Sequence, residues 1–139
     1  MTDSQILLES SLKFLSYRPR SRKEITDFLK KKTPDATLIN QTLEKLEKLK
    51  LINDTDFAKW LVESRSRSRP RGFRLLKQEL AQKGIKLDAS NYTLDAETEL
   101  AQKALHKKNP KSREQAIRFL QYRGFTWDTI AQVLKKAYN

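Results

Sequence analysis

Apolar residues recur along this chain at steps of three and four, the spacing of amphipathic helices, and seldom alternate as they would in half-buried strands. Leu8, Leu12 and Leu15, with Phe14 beside them, predict a first helix from about Ser4 to Tyr17 that stops before Pro19. Ser21-Arg22-Lys23-Glu24 has the form of a capping box, in which the serine oxygen accepts the Glu24 amide and the glutamate reaches back. It opens a second helix with Ile25, Phe28 and Leu29 inward and Lys30, Lys31 and Lys32 at the negative end of the dipole. Thr33-Pro34-Asp35 reads as an N-cap followed by proline at the first helical position. The third helix carries Ile39, Leu43, Leu46 and Leu49 on one stripe. That stripe is short for a coiled coil and is read as intramolecular core, with a dimer seam as the rival.

The pattern then starts again. Asn53-Asp54-Thr55-Asp56 precedes Phe57, Trp60 and Leu61, so its carboxylates are read as cap and first-turn residues, not as a catalytic acid pair. The run Ser64-Arg65-Ser66-Arg67-Ser68-Arg69-Pro70-Arg71 crosses from a helix end into a linker, because proline disfavours helix at Arg69. In the next helix Phe73, Leu76 and Leu80 face inward, Arg74 and Lys77 face solvent, and Gly84 with Ile85 fits a Schellman ending. Asp88 to Tyr92 leaves room for a short third helix. A third segment begins at Leu94-Asp95, read as staple and N-cap, and continues through Leu100, Ala101, Ala104 and Leu105. Ser112-Arg113-Glu114-Gln115 is again read as a capping box, Gly124 as a terminator with Phe125 packing back, and Thr126 as the cap of a last helix. Its inward residues are Ile130, Val133, Leu134 and Ala137, with Trp127 and Tyr138 expected to be buried.

Laying Pro19, Pro70 and Pro110 over one another gives each a following basic residue, then a small one, then a leucine ten positions on. The spacings of 51 and 40 residues define an internal repeat. The expectation is an all-α protein of tandem three-helix modules at 1–53, 54–94 and 95–139. Few glycines and prolines among 33% charged residues agree with helix. No apolar run has the length of a membrane span or of a signal-peptide core, so a cytoplasmic protein is expected. The absence of cysteine and a single His106, read as an exposed helix residue, exclude disulfides, thiol catalysis and the usual zinc sites.

Charge changes the picture more. The net +12 divides as 11 basic against 7 acidic residues in 1–53, 9 against 5 in 54–94 and 9 against 5 in 95–139, so each third carries +4. The positive surface therefore belongs to the repeat and suits phosphates or an acidic partner. The candidate binding residues are Arg18, Arg20 and Arg22; Arg65, Arg67, Arg69, Arg71 and Arg74; and Lys111 and Arg113, with Lys107 and Lys108 beside them. Nothing supports catalysis: Gly72, Gly84 and Gly124 are isolated, no triad can be drawn, and no cofactor or metal is implied.

These residues resemble the RecX regulatory proteins of bacterial recombination. The resemblance rests on Leu12-x-x-Leu15-Ser16-x-Arg18-Pro19-Arg20-Ser21-x-x-Glu24-Ile25, on Leu51-Ile52-Asn53-Asp54-x-x-Phe57-Ala58, and on Arg71-Gly72-x-x-x-Leu76-x-x-Glu79-Leu80-x-x-Lys83-Gly84-Ile85. It implies tandem modules in an elongated, curved arrangement that binds the RecA filament on single-stranded DNA. It further implies inhibition of ATP hydrolysis and strand exchange in DNA repair, recombination and the SOS response. It marks Arg18, Arg20, Arg65, Arg69, Arg71 and Arg74 as filament contacts on a monomer. The alternative is a non-enzymatic helical DNA-binding protein, and a weak direct contact with DNA stays open. Sequence readout would require base-reading side chains at a helix start, for which Asp88-Ala89-Ser90-Asn91 and Trp127-Asp128-Thr129 are poor candidates.

Overall fold

In the computed structural model, residues 2–87 and 93–137 are described. Among them are eight helices and no strand: α1 (Asp3–Tyr17), α2 (Arg22–Lys30), α3 (Ala36–Lys48), α4 (Asp54–Ser68), α5 (Phe73–Gln82), α6 (Leu94–Lys108), α7 (Arg113–Tyr122) and α8 (Trp127–Ala137). The all-α reading holds. The short helix expected at Asp88 to Tyr92, and Tyr138, lie outside the described residues. No described helix is long and apolar enough to cross a membrane.

The chain divides into two compact units, Met1–Trp60 with Gln82–Ile85, and Leu61–Ala81 with Lys86–Asn139. In the first, Leu7, Ile25, Leu29, Ile39, Leu43, Leu46 and Ile52 form the core, and Phe14 stacks on Phe28 with centroids 4.3 Å apart. Burying each Leu or Ile there contributes about 1.5–3 kcal/mol. The α1 stripe is turned one residue from the expected one. Leu7 and Ser11 are buried and Leu12 is exposed. Ser11 can lie inside because its hydroxyl donates to the Leu7 carbonyl at 2.9 Å, which leaves no polar atom unsatisfied.

Ser21 and Glu24 form the reciprocal capping box that opens α2. The α3 cap is Asp35, not Thr33: its carboxylate accepts from the Thr37 and Leu38 amides, and a carboxylate also suits the positive end of the dipole. Pro34 therefore precedes the cap. Ile39, Leu43 and Leu46 are core, as expected, whereas Leu49 is 53% exposed. It stands at the C-cap, where Lys50 takes the left-handed conformation at φ 58° and turns the chain away. The bonds Leu51 N to Leu46 O and Lys50 N to Glu47 O complete a Schellman motif with lysine in the glycine position.

The second unit is built on Ala101, Ala104, Leu105, Ala116, Leu120, Phe125, Ile130, Val133 and Leu134. Its three alanines let helix backbones approach closely. Thr93, not Asp95, caps α6, accepting from the Ala96 amide. Ser112 caps α7, but Gln115 reaches back to the Lys111 amide instead of closing a box on Ser112. Thr126 accepts from the Thr129 amide at the start of α8. Trp127 is 57% exposed, because the inward face of α8 begins only at Thr129, and Ala137 is exposed beyond the other end of that face.

Gly72 sits where the other repeats place a capping serine. A Cβ on it would lie 2.2 Å from the Gly124 carbonyl oxygen, and its amide donates to Arg123 O at 2.7 Å. With no side chain available, the cap is supplied from afar. Glu97, 7% exposed, accepts from the Phe73 amide at the start of α5 and from the Thr126 amide ahead of α8.

Candidate partner-binding surface

Cationic side chains around the three prolines differ sharply in how they are held. At Pro19, the Arg18 guanidinium grips Glu24 and lies 5.8 Å from the Trp60 ring centroid. Arg20 lies 3.7 Å above Phe14 and donates from Nε to the Phe14 carbonyl. Burial, then the charge of Arg18, lowers the Arg20 pKa against the pull of Glu24. Arg22 pairs with Glu47 through its head and donates its amide to Asp54 at 2.8 Å. Asp54 and Asp56 stand in the first turn of α4, as expected, and Asn53 accepts from the Asp56 amide, whereas the reach of Asp54 to the Arg22 amide had no sequence signal.

Glu24 is the hub of this joint. It receives Arg18, the Ser21 amide and Lys83. Burial raises its pKa, but the hydrogen bonds from Arg18 and Ser21 and the charges of Arg18 and Lys83 outweigh burial and hold it below the ordinary carboxylate value.

At Pro70 the arginines split into two sets. Arg65 forks onto Glu79 and Arg71 joins it at 3.2 Å. The Glu79 hydrogen bond raises the Arg65 pKa despite burial. Arg67, Arg69 and Arg74 are exposed, and no ion pair holds their heads among the described residues. At Pro110, Lys111 and Arg113 are likewise exposed and unpaired among the described residues. Of the ten candidates, Arg18, Arg22, Arg65 and Arg71 are thus engaged by carboxylates, Arg20 is held on an aromatic ring, and five present free heads.

Four contributors carried no sequence signal for the roles they play here. Glu24 reads as a cap alone, and Glu79 as one more helix carboxylate. Lys107 donates to the carbonyls of Arg67 and Ser68 at 2.6 and 3.3 Å, closing the C-terminus of α4 from forty residues away. Arg123 donates to Pro70 O and stands 5.0 Å from the Phe119 centroid.

Fold and surface together define a class: a tandem helical-repeat protein whose joints carry cations, some locked into the fold and some free. Models of the first, second and third three-helix domains of RecX match residues 8–46, 53–89 and 95–134. The chain belongs to the RecX family of regulatory proteins. It is 35% identical over 144 residues to the regulatory protein RecX of Bacillus pumilus (strain SAFR-032), covering 94% of this chain and 55% of that protein. It is 34% identical over 151 residues to the regulatory protein RecX of Chlorobium phaeobacteroides (strain BS1), covering 99% and 97%. The chain spans about half the length of the Bacillus relative and nearly all of the Chlorobium one. The crystal structure of RecX from Lactobacillus salivarius aligns with a TM-score of 0.78 and 26% identity over 96% of both chains.

Proposed function

We propose that this protein binds the RecA nucleoprotein filament on single-stranded DNA and inhibits its ATP hydrolysis and strand exchange, catalysing no reaction of its own. The observation that carries the reading is the set of exposed heads at Arg67, Arg69, Arg74, Lys111 and Arg113, unpaired among the described residues, in a chain of a regulatory family. Free cations spread over a repeat suit a partner that is itself periodic and anionic, and separated weak contacts on one chain reinforce one another. On this reading the protein acts in the cytoplasm as a monomer; the use of Ile39, Leu43 and Leu46 in an intramolecular core speaks against the dimer seam.

ATPase assays on preformed filaments, titrated with this protein at several DNA concentrations, test the proposal. Half-inhibition should stay fixed as DNA is added in excess of filament. A half-inhibiting concentration that tracks total DNA, with no effect on preformed filaments, would establish the DNA-binding alternative, which the same free cations favour through phosphate contacts.

A further inference from the structure

A second site lies within the unit formed by Leu61–Ala81 and Lys86–Asn139. A cavity of about 150 Å³ opens between the end of α4, the last turn of α6 and α7. Arg69 and Pro70 form one wall, Lys107 and Lys108 another, and Phe119 and Arg123 a third. No carboxylate lines it, and none of these four cations has an ion pair among the described residues.

Elsewhere, apart from Arg20 on Phe14, the fold answers its half-buried arginines with Glu24 and Glu79. Here it does not. Arg123 is pushed below its usual range by burial and then by Arg69 and Arg71, with only Tyr122 opposing. Lys107 neutralises the carbonyls at the end of α4, so the negative pole of that helix does not repel an anion, and one of its three N–H groups is left over. Arg123 spends one of five donors on Pro70 O. Phe119 orders the remaining heads, with Lys108 at 5.9 Å and Arg123 at 5.0 Å from its centroid.

Charge selects an anion, and the size of this solvent-open concavity suits a small one. A water takes about 30 Å³, so the cavity has room for one compact tetrahedral anion and a few waters, while sites for larger organic ligands start near 300 Å³. We propose that this cavity is an oxyanion site that takes a single phosphoryl group. The proposal stands on this unit alone, whether or not the chain engages the filament. The phosphoryl group can come from a nucleic-acid backbone or from a free phosphate, and the test separates them.

The full chain, in low-salt chloride buffer, would be titrated with inorganic phosphate and pyrophosphate and followed by the NMR resonances of Lys108, Phe119 and Arg123. Saturable one-site shifts are expected. Arg69→Gln and Lys108→Gln should each weaken binding about tenfold, the loss of one charge-assisted hydrogen bond. Neither head donates a hydrogen bond among the described residues, so both variants should keep the fold, which a thermal melt checks. Lys111→Gln and Arg113→Gln should bind as the parent does. Displacement of pyrophosphate by a short oligothymidylate would identify a strand phosphate as the ligand, and failure to displace it a free phosphoryl group. Shifts that do not saturate, or equal weakening in the Lys111 and Arg113 variants, would overturn the proposal in favour of general screening of a basic surface.

Discussion

The joints at Pro19 and Pro110 look alike in sequence, each a proline, a basic residue and a capping serine, yet they hold their cations in opposite ways. Around Pro19 three arginines are drawn back onto Glu24, Glu47 and Phe14. Around Pro110, Lys111 and Arg113 have no such partner among the described residues. Equal net charge per module therefore does not mean equal charge available to a partner. Free cations contribute to recognition, whereas paired ones contribute to the shape of the joint.

The largest effect that would break this contrast is at Glu24. Glu24→Ala should cost roughly 2–3 kcal/mol, because it removes half of a capping box and leaves Arg18 and Lys83 without their acceptor. Glu114→Ala, on an exposed position of α7, should cost far less. Thermal melts of both variants measure this. The same hub predicts an acid dependence. Its folded pKa lies below the unfolded value, so its contribution is fully present above about pH 4.3 and is lost as pH falls through the folded pKa. Glu24→Gln should flatten the stability profile on that acid limb.

The next effect runs the other way. Lys111→Glu with Arg113→Glu should weaken filament binding about tenfold, roughly 1.4 kcal/mol, while leaving the melting temperature unchanged. Arg18→Glu should lower the melting temperature first. If both variants melt alike, the division into free and locked cations fails.

Smaller differences sharpen the comparison. Ser21→Ala and Ser112→Ala should each cost about 1 kcal/mol. Ser21, buried and reciprocally bonded, should be the more sensitive. Smallest of all, Lys50→Gly should stabilise by roughly half a kcal/mol, since φ 58° suits glycine better than lysine and the Schellman bonds need no side chain. Urea unfolding resolves shifts of that size.

Much of the fold was legible because its punctuation is local. Ser21, Ser112, Gly124 and Thr126 act on amides or carbonyls within a few residues, and Gly84 takes the left-handed conformation of a helix end, so their spacing carries the information. The misreadings turn on which of several nearby groups reaches an amide, or on where a helix meets the core. Ser11 could be buried because α1 satisfies its hydroxyl internally, and Trp127 was left outside because α8 meets the core only from Thr129. At the candidate surface the identity of the cations could be read, but their availability could not. Arg65 and Arg67 are two residues apart in one serine-arginine run, and only Arg65 reaches Glu79, fourteen residues away.

Glu97 adds a consequence for biosynthesis. The helices opened by Ser21 and Ser112 carry their own caps, made within three residues. The start of α5 also draws on residues made later: the Phe73 amide donates to Glu97, and the Gly72 amide to the Arg123 carbonyl. During translation α5 emerges before Glu97 and Arg123, so these two bonds at its start form only after α7 has followed it out. The order in which the domains are synthesised is therefore not the order in which they can be finished, and the middle of the chain is completed by its end.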